Sequence, residues 1–358
     1  MKILSIETSC DETAAAVTEG RRVLANIIFS QIDIHKKWGG VYPSLAKREH
    51  EKRISPIIEK ALKTARVKME DIKAIAVTFG PGLVIALEVG IKKAKQLALK
   101  YQKPIIPVNH LEGHFYAAFA QNRQGKPKRD FKFPFLALVI SGGHTSLILV
   151  KGHLKYEMLG QTLDDAAGEA LDKAAKMLGL GYPGGPVIEK LAKKGRAEFF
   201  SLPIPLKKQK TLNFSYSGLK TSFKYQLEKL SLQKRADNLS DLAASFQKAV
   251  FDQIIDRLDK ALTKTSLKAL VVGGGVVANK DLRQKIRKLA REKKINVYFP
   301  FSEKLIGDNA AMIGVAASFK YQEGIFLRAN FSRLDRVARP DLKLWEQRIS
   351  KIKEGGKF

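Results

Sequence analysis

The sequence predicts an α/β protein of two like lobes facing each other across a cleft. Three observations predict it: an order of elements that occurs twice, glycine-ended apolar strands at matching places in the two copies, and a length of 358 residues, which suits two domains or one large two-lobed unit. In the first copy, residues 3–6 form an apolar strand, 7–12 a polar turn, 13–17 a second strand and 21–30 a third, closing an antiparallel meander. The order recurs with strands over 135–140, 146–150 and 154–159, the first two joined by the turn Ser141-Gly142-Gly143-His144-Thr145. Each meander is followed by a buried strand ending in glycine, over 73–82 and 268–275. A helical stretch and a short apolar strand then follow, the strand over 105–108 in one copy and 295–299 in the other. Two β-β-β-α-β-α-β units fit a duplicated actin/hexokinase-like (ASKHA) plan, in which the active site lies between the lobes. Fold alone does not decide chemistry.

The expected division is an N-terminal lobe over 1–130, a C-terminal lobe over 131–325 and a C-terminal extension over 326–358. The linker composition of Gly125-Lys126-Pro127-Lys128-Arg129-Asp130 marks the first boundary. A helical insertion over about 165–263 interrupts the second lobe. Its best helix is expected to start from Ser240 as N-cap and to bury Leu242, Phe246, Val250, Ile254 and Leu258.

Apolar residues make up 45% of the chain, enough for a core and too many for global disorder. With 64 Lys and Arg against 35 Asp and Glu the net charge is +29, far beyond the ~2–8 of a small soluble domain. Anionic substrates and nucleic acid are the natural partners of such a surface, with lysine-rich decoration as the plain alternative. The single cysteine, Cys10, excludes an internal disulfide framework. The first residues are charged too soon for a signal peptide and no run of about 18 apolar residues occurs, so a cytoplasmic protein without a membrane span is expected. The basic tail over 351–358 is expected to fray.

The sharpest local signal is Asn109-His110-Leu111-Glu112-Gly113-His114. Asn109 suits a helix N-cap, which places His110 and His114 at i and i+4 on one face, able to share a metal. Glu112 is rotated roughly 200° from His110 on such a helix, away from that face, so the stretch makes a poor zinc-protease motif. The duplication indicates where a third ligand stands: Asp308, at the head of the equivalent small-residue helix, faces the two histidines across the cleft. Two imidazoles and a carboxylate suit iron(II), with zinc as the alternative. An N-cap role for Asp308 is the plainer reading.

Glycine-rich turns at Ser141–Thr145, Gly80-Pro81-Gly82 and Gly273-Gly274-Gly275 have anion-binding potential at matching positions of the two halves. Glu7, Asp11 and Glu12 crowd the first meander turn, which should face the cleft. Glu169 and Asp172 share a helix face and could accept hydrogen bonds from ribose hydroxyls. Gly184-Gly185-Pro186 could pack under a sugar, with Glu189 one turn further on. Ordinary solvent-exposed helix charges are the alternative.

These stretches, with Ile6–Thr13, Tyr182–Pro186, Asn213–Thr221, Gly273–Asn279 and Gly307–Ala310, resemble in order the TsaD family of tRNA threonylcarbamoyladenosine transferases, once labelled glycoprotein endopeptidases. The resemblance spans about residues 1–320. It implies transfer of a threonylcarbamoyl group from threonylcarbamoyl adenylate to the exocyclic amine of adenosine 37 in tRNAs reading codons that begin with A, releasing AMP. It implies one iron(II) per subunit on His110, His114 and Asp308, with zinc possible in vitro. It also implies an adenylate site lined by Val139, Ile140, Ser141, Gly142, Gly143, Asp172, Gly185, Glu189 and Asn279. Asp11 is the candidate acceptor of the amine proton. The implied partners are tRNA, a paralogous TsaB-like subunit and a small TsaE-like ATPase. The sequence departs from the family pattern at Ser44, at Ile85-Ala86-Leu87-Glu88 and at Val277, which bears on substrate contacts and partner surfaces. A metallopeptidase and a non-catalytic nucleotide-binding scaffold are the rival readings. The basic clusters at Arg123, Lys126, Lys128 and Arg129 and at Lys207, Lys208 and Lys210 are expected near the cleft rim, contacting tRNA phosphates. The helix around 283–294 is expected to be basic nearly all round.

Overall fold

The computed structural model describes residues 1–328 and 331–334. The expected tail over 351–358 and most of the 326–358 extension lie outside them. The first half runs β1 (Lys2–Glu7), β2 (Glu12–Glu19), β3 (Arg22–Ser30), α1 (Ile32–His35), α2 (Pro43–Ala65), β4 (Ala74–Gly80), α3 (Val84–Tyr101), β5 (Ile105–Asn109) and α4 (His110–Tyr116). The second runs β6 (Phe135–Ile140), β7 (Thr145–Gly152), β8 (Lys155–Gln161), α5 (Ala167–Met177), α6 (Gly184–Ala192), α7 (Ser217–Glu228), α8 (Leu232–Asp237), α9 (Leu239–Thr265), β9 (Ala269–Gly273), α10 (Lys280–Glu292), β10 (Asn296–Tyr298) and α11 (Ala310–Gln322). The two five-stranded sheets have matching orders, β3-β2-β1-β4-β5 and β8-β7-β6-β9-β10. In each, the central strand pairs antiparallel with its hairpin partner and parallel with the later glycine-ended strand. This is the duplicated plan the sequence predicts.

Central strands are covered on both faces, so β6 is buried along its whole length, whereas the edge strand β3 mixes buried and exposed positions. The outer face of the first sheet packs under α2 and α3, as in the cluster of Leu4, Ile6, Ile58, Leu87 and Ile91. The outer face of the second packs under the insertion, with Phe246, Val250, Ile254 and Leu258 in its core as expected. Between the sheets a third cluster unites both halves, joining Ile3, Ala76 and Val108 to Val139, Ile148 and Val271 through α4 and α11. The two helices are exchanged between halves: α4 leaves the first sheet and packs against β6 and β9, while α11 packs against β1, β2 and β3.

The Asn213–Thr221 stretch latches the insertion to the second sheet. Asn213 accepts from the Gln161 backbone at 3.0 Å, Phe214 and Tyr216 are fully buried, and Asp164 accepts from Ser215 Oγ, Ser217 Oγ and two backbone N–H groups. Three expectations need correction. The long helix starts one residue before Ser240, so Asn238, not Ser240, stands at its N-cap position. α10 is not basic all round, because Leu282, Ile286 and Leu289 form a buried stripe at i, i+4 and i+7. Charge counting hid that stripe. The linker does not border the cleft. It lies beside the β2–β3 hairpin, where Arg21 donates to the Phe119 and Arg129 carbonyls, and the β1–β2 turn is at the other end of those strands, roughly 20 Å away. There Arg129 donates to the Ala118 and Phe299 carbonyls and Arg123 to those of Leu24 and Thr64, so both guanidiniums tie chain segments together. The 206–211 segment is likewise held by Arg257 in the C-terminal half of α9, whose chain leads to the start of β9 and not to its cleft end.

Candidate active site and metal centre

α4 begins where β5 ends because Asn109 caps it. The Asn109 side chain accepts from the backbone of Leu111 at 2.8 Å and of Glu112 at 3.4 Å, while Glu112 Oε2 accepts from the Asn109 backbone at 3.3 Å. The helix is buried throughout, with His110 and His114 one turn apart and their rings edge to face at 4.5 Å. Opposite them, α11 is capped by Asn309, which accepts from the Met312 backbone at 3.0 Å. Asp308, one residue before the cap, is thereby free to face the histidines, and the plainer N-cap reading of it is corrected. Its Oδ1 lies 3.5 Å from His110 Nε2 and 3.3 Å from His114 Nε2, and one ligand atom from each residue fits within 4.8 Å of the others.

The donor set fits a metal ion. Among the described residues both nitrogens of fully buried His114 lack a hydrogen-bond partner, since the 3.3 Å approach of Asp308 is not aligned as a hydrogen bond. A buried unsatisfied nitrogen costs about 1–3 kcal/mol, which a cation on the Nε2 side would offset. His110 is also backed as metal-ligating histidines usually are. Its Nδ1 meets Glu7 Oε2 at 3.2 Å and Ser9 Oγ at 3.2 Å, and Glu7 is fixed in turn by Thr78 Oγ1 and the Ser9 backbone, each at 2.6 Å. Sequence reasoning placed Glu7 near the cleft but gave it no such role.

The electrostatics follow from this sandwich. Burial opposes a charge on His110, but Asp308 and Glu7 on either side outweigh it and lift its pKa to about 9. Burial, with Glu7 and Asp11 nearby, lifts Asp308 to about 6 against the pull of His110. Burial and the neighbouring His110 hold His114 well below the usual imidazole value. Glu112 is elsewhere: its Oε2 pairs with buried Lys320 at 2.9 Å, behind the helix rather than among the ligands. The position expected of it, off the ligand face, is the one found, so Glu112 is not the base of a zinc-protease motif here.

The other predicted residues form a second group along the second lobe. Val139 and Ile140 are the buried end of β6. In the turn that follows, Ser141 donates its N–H to the His144 carbonyl and its Oγ accepts from the His144 N–H, leaving the exposed N–H groups of Gly142 and Gly143 without an acceptor among the described residues. Gly274, with φ of +96°, backs onto the Ile140 carbonyl so closely that no side chain fits, setting Gly273-Gly274-Gly275 beside this turn. Asp172 Oδ1 accepts from Gly184 at 2.7 Å and Gly185 at 3.3 Å, pinning the start of α6. Glu189, a turn on, accepts from the Lys280 backbone at the head of α10, where Asn279 is the N-cap and donates to Gln247. Glu169 is not paired with Asp172: it bridges to Lys173 at 2.8 Å. Asp11 joins the two groups. Behind burial, its charge contributes to raising Asp308 on one side and Asp172 and Tyr182 on the other. His144, whose ring lies 6.4 Å from His110, was not singled out by the sequence, although its turn was.

A family model described as TsaD, tRNA N6-adenosine threonylcarbamoyltransferase, matches residues 22–315. Proteins of that name are similar over nearly the whole chain. The one from Clostridium kluyveri is 48% identical over 349 residues, covering 97% of this chain and 99% of the relative. The one from Anaeromyxobacter sp. is 48% identical over 326 residues, covering 90% and 96%. Among solved structures, component A of the (R)-2-hydroxyglutaryl-CoA dehydratase of Acidaminococcus fermentans matches with a TM-score of 0.52 at 17% identity, over 90% of this chain and 99% of that one. HypF from T. kodakarensis matches with a TM-score of 0.59 at 14% identity, over 90% of this chain and 48% of that one. At such identities the structural likeness speaks for the actin/hexokinase-like fold alone.

Proposed function

From the premise that this chain belongs to the TsaD family of tRNA N6-adenosine threonylcarbamoyltransferases, we propose that its donor is threonylcarbamoyl adenylate and its acceptor the exocyclic amine of adenosine 37 in tRNAs reading codons that begin with A. The observation that carries this reading is the placement of Asp11 between two groups: a cation-ready cluster of His110, His114 and Asp308, and a glycine-rich turn with free backbone donors. His110, His114 and Asp308 would hold the metal, iron(II) or zinc, one per subunit. Bound there, such an ion supplies Lewis acidity toward a carbonyl or phosphate oxygen.

The chain's own residues do the rest. The adenylate lies along Val139–Gly143, with Asp172, Gly185, Glu189 and Asn279 around its nucleoside. Gly142 and Gly143 N–H groups face the donor's oxygens, where negative charge grows as the amine attacks the carbamoyl carbon. The bond to the phosphate breaks, AMP leaves with the electron pair, and Asp11 takes the proton that the amine sheds. Holding an already activated mixed anhydride beside the amine supplies much of the acceleration. A TsaB-like paralogue and a small TsaE-like ATPase complete the system in the cytoplasm. No helix among the described residues is long and apolar enough to cross a membrane.

Mass spectrometry of tRNA nucleosides from cells with and without the protein tests the assignment. The threonylcarbamoyl nucleoside disappears on deletion and returns with the wild-type chain but not with Asp308→Ala. Return with Asp308→Ala would favour the scaffold reading. The zinc-protease form of the peptidase reading loses its motif glutamate as general base, because Glu112 is sequestered with Lys320.

A further inference from the structure

Between β3 and α2 the chain exposes two large aromatic rings side by side. Trp38 is 64% and Tyr42 50% exposed, and their rings stack at 5.4 Å with planes 26° apart. Around them basic residues outnumber acidic ones, although exposed Glu51 stands among the basic residues of α2. Between Gln31 and Arg48 the only acid is Asp33, against Lys36, Lys37, Lys47 and Arg48. Lys36 and Lys37 are exposed just before Trp38, and Ser44, Arg48 and Lys52 continue at i, i+4 and i+8 along the exposed face of α2.

A buried polar network bolts this loop to the Asp11 turn. The Gln31 N–H donates to the Asp11 carbonyl at 3.0 Å. His50 donates from Nε2 to the Cys10 carbonyl at 2.9 Å, so its Nδ1 accepts from Thr13 at 2.8 Å and from Gln31 Nε2 at 3.4 Å. His35 accepts the Tyr42 N–H on Nδ1 at 3.3 Å and therefore donates from Nε2 to Gln31 Oε1 at 3.1 Å. Each tautomer is dictated by its partner, and the three side chains are fully buried. The backbone that carries the aromatic pair is thus anchored to the Asp11 turn through His35 and Gln31.

We propose that Trp38 and Tyr42 form a stacking platform for a base of the single-stranded RNA loop next to the acceptor adenosine, with Lys36, Lys37 and Arg48 on its phosphates. This rests on the reading of tRNA as acceptor. Flat aromatic faces among basic side chains suit single-stranded nucleic acid, since every base has a π-face and every nucleotide an anion. An adenosine amine brought to Asp11 must come from an unpaired loop, whose neighbouring base then lies within reach of the loop that Asp11 anchors.

The test is binding of a fluorescently labelled anticodon stem-loop hairpin to the full-length chain, by anisotropy at several salt concentrations. A second hairpin lacks the base flanking the adenosine. Trp38→Ala should weaken binding of the intact hairpin about tenfold, the loss expected for one base–aromatic stack, and Trp38→Phe should restore most of it. The hairpin lacking the base should bind wild type and Trp38→Ala alike. Lys36→Gln with Lys37→Gln should flatten the salt dependence by about 0.7 log units of slope per lost phosphate contact. Unchanged thermal unfolding and AMP binding of Trp38→Ala establish that the fold is intact. If Trp38→Ala binds the intact hairpin like wild type while wild type still modifies tRNA, the platform alone is overturned. It is overturned equally if the variant loses a co-purifying protein instead of RNA. If wild type neither binds the hairpin nor modifies tRNA, the acceptor reading falls and the platform with it.

Discussion

Metal binding should release a proton from His110, and its affinity should climb with pH accordingly. Without a cation, the imidazolium of His110 sits between buried Glu7 at Nδ1 and half-buried Asp308 at Nε2, its positive charge held by the two carboxylates. A metal on Nε2 must displace that proton. With His110 at about 9, only about one molecule in a hundred has it neutral at pH 7, so apparent affinity should rise about tenfold per pH unit from 7 to 9 and level off above. Asp308, lifted to about 6, must also lose a proton below that pH, and the dependence should steepen toward a hundredfold per unit there. The sign for stability is the opposite. Raised in the fold, the His110 pKa gives the metal-free protein stability that is fully present below about 6.5 and lost as pH rises through about 9. Zinc competition against a chromophoric chelator from pH 5.5 to 9.5, with calorimetry in two buffers of different ionisation enthalpy to count protons, measures both. Glu7→Gln removes the carboxylate that holds the proton, so the plateau should begin at lower pH. A flat affinity between pH 7 and 9, with no proton released, would refute the reasoning.

Three further outcomes are expected. His114→Ala and Asp308→Ala should each lose bound metal on dialysis, because two remaining ligands compete poorly with water; full occupancy in Asp308→Ala by elemental analysis would remove that residue from the site. Glu112→Gln should lower stability to urea by about 3–5 kcal/mol, since it takes the carboxylate from a fully buried pair with Lys320, yet leave the folded fraction's metal content unchanged. Loss of metal at unchanged stability would put Glu112 in the site after all. Gly273→Ala should cost about 1–3 kcal/mol and weaken metal retention, because the added methyl would overlap the His114 carbonyl and force α4 off β9; unaltered unfolding and metal content would show that the helix gives way freely.

Much of this architecture was legible because it repeats. Strand, turn, hairpin and glycine-ended strand recur in the same order, and pseudo-symmetry alone directed attention from His110 and His114 to Asp308, about two hundred residues away. Helical spacing also placed Glu112 off the ligand face. What stayed hidden depends on which end of a strand a segment returns to. The linker carries the right charges, but its attachment to the β2–β3 hairpin puts it at the far end of the sheet from Asp11. The Glu7–His110 contact spans 103 residues, and the network of Gln31, His35 and His50 leaves no local pattern, since each residue alone reads as an ordinary polar position. In α10 the abundance of Lys and Arg obscured three well-spaced apolar residues.

The exchange of α4 and α11 decides how the chain can be divided. A cut at residue 130 separates the sheets cleanly in sequence, yet each fragment would carry away a helix whose seat is on the other. The fragment over 1–130 would expose the α4 surface that packs against β6 and β9, and the inner face of its own sheet would lack α11. Neither piece would be a domain in the folding sense, and unfolding should be a single event for the whole body. Mixed together, the two pieces hold every surface needed to reassemble, much as a domain-swapped dimer does with its exchanged arms. On that view the cluster of His110, His114 and Asp308 is a rivet through the crossing, set where each arm enters the opposite half.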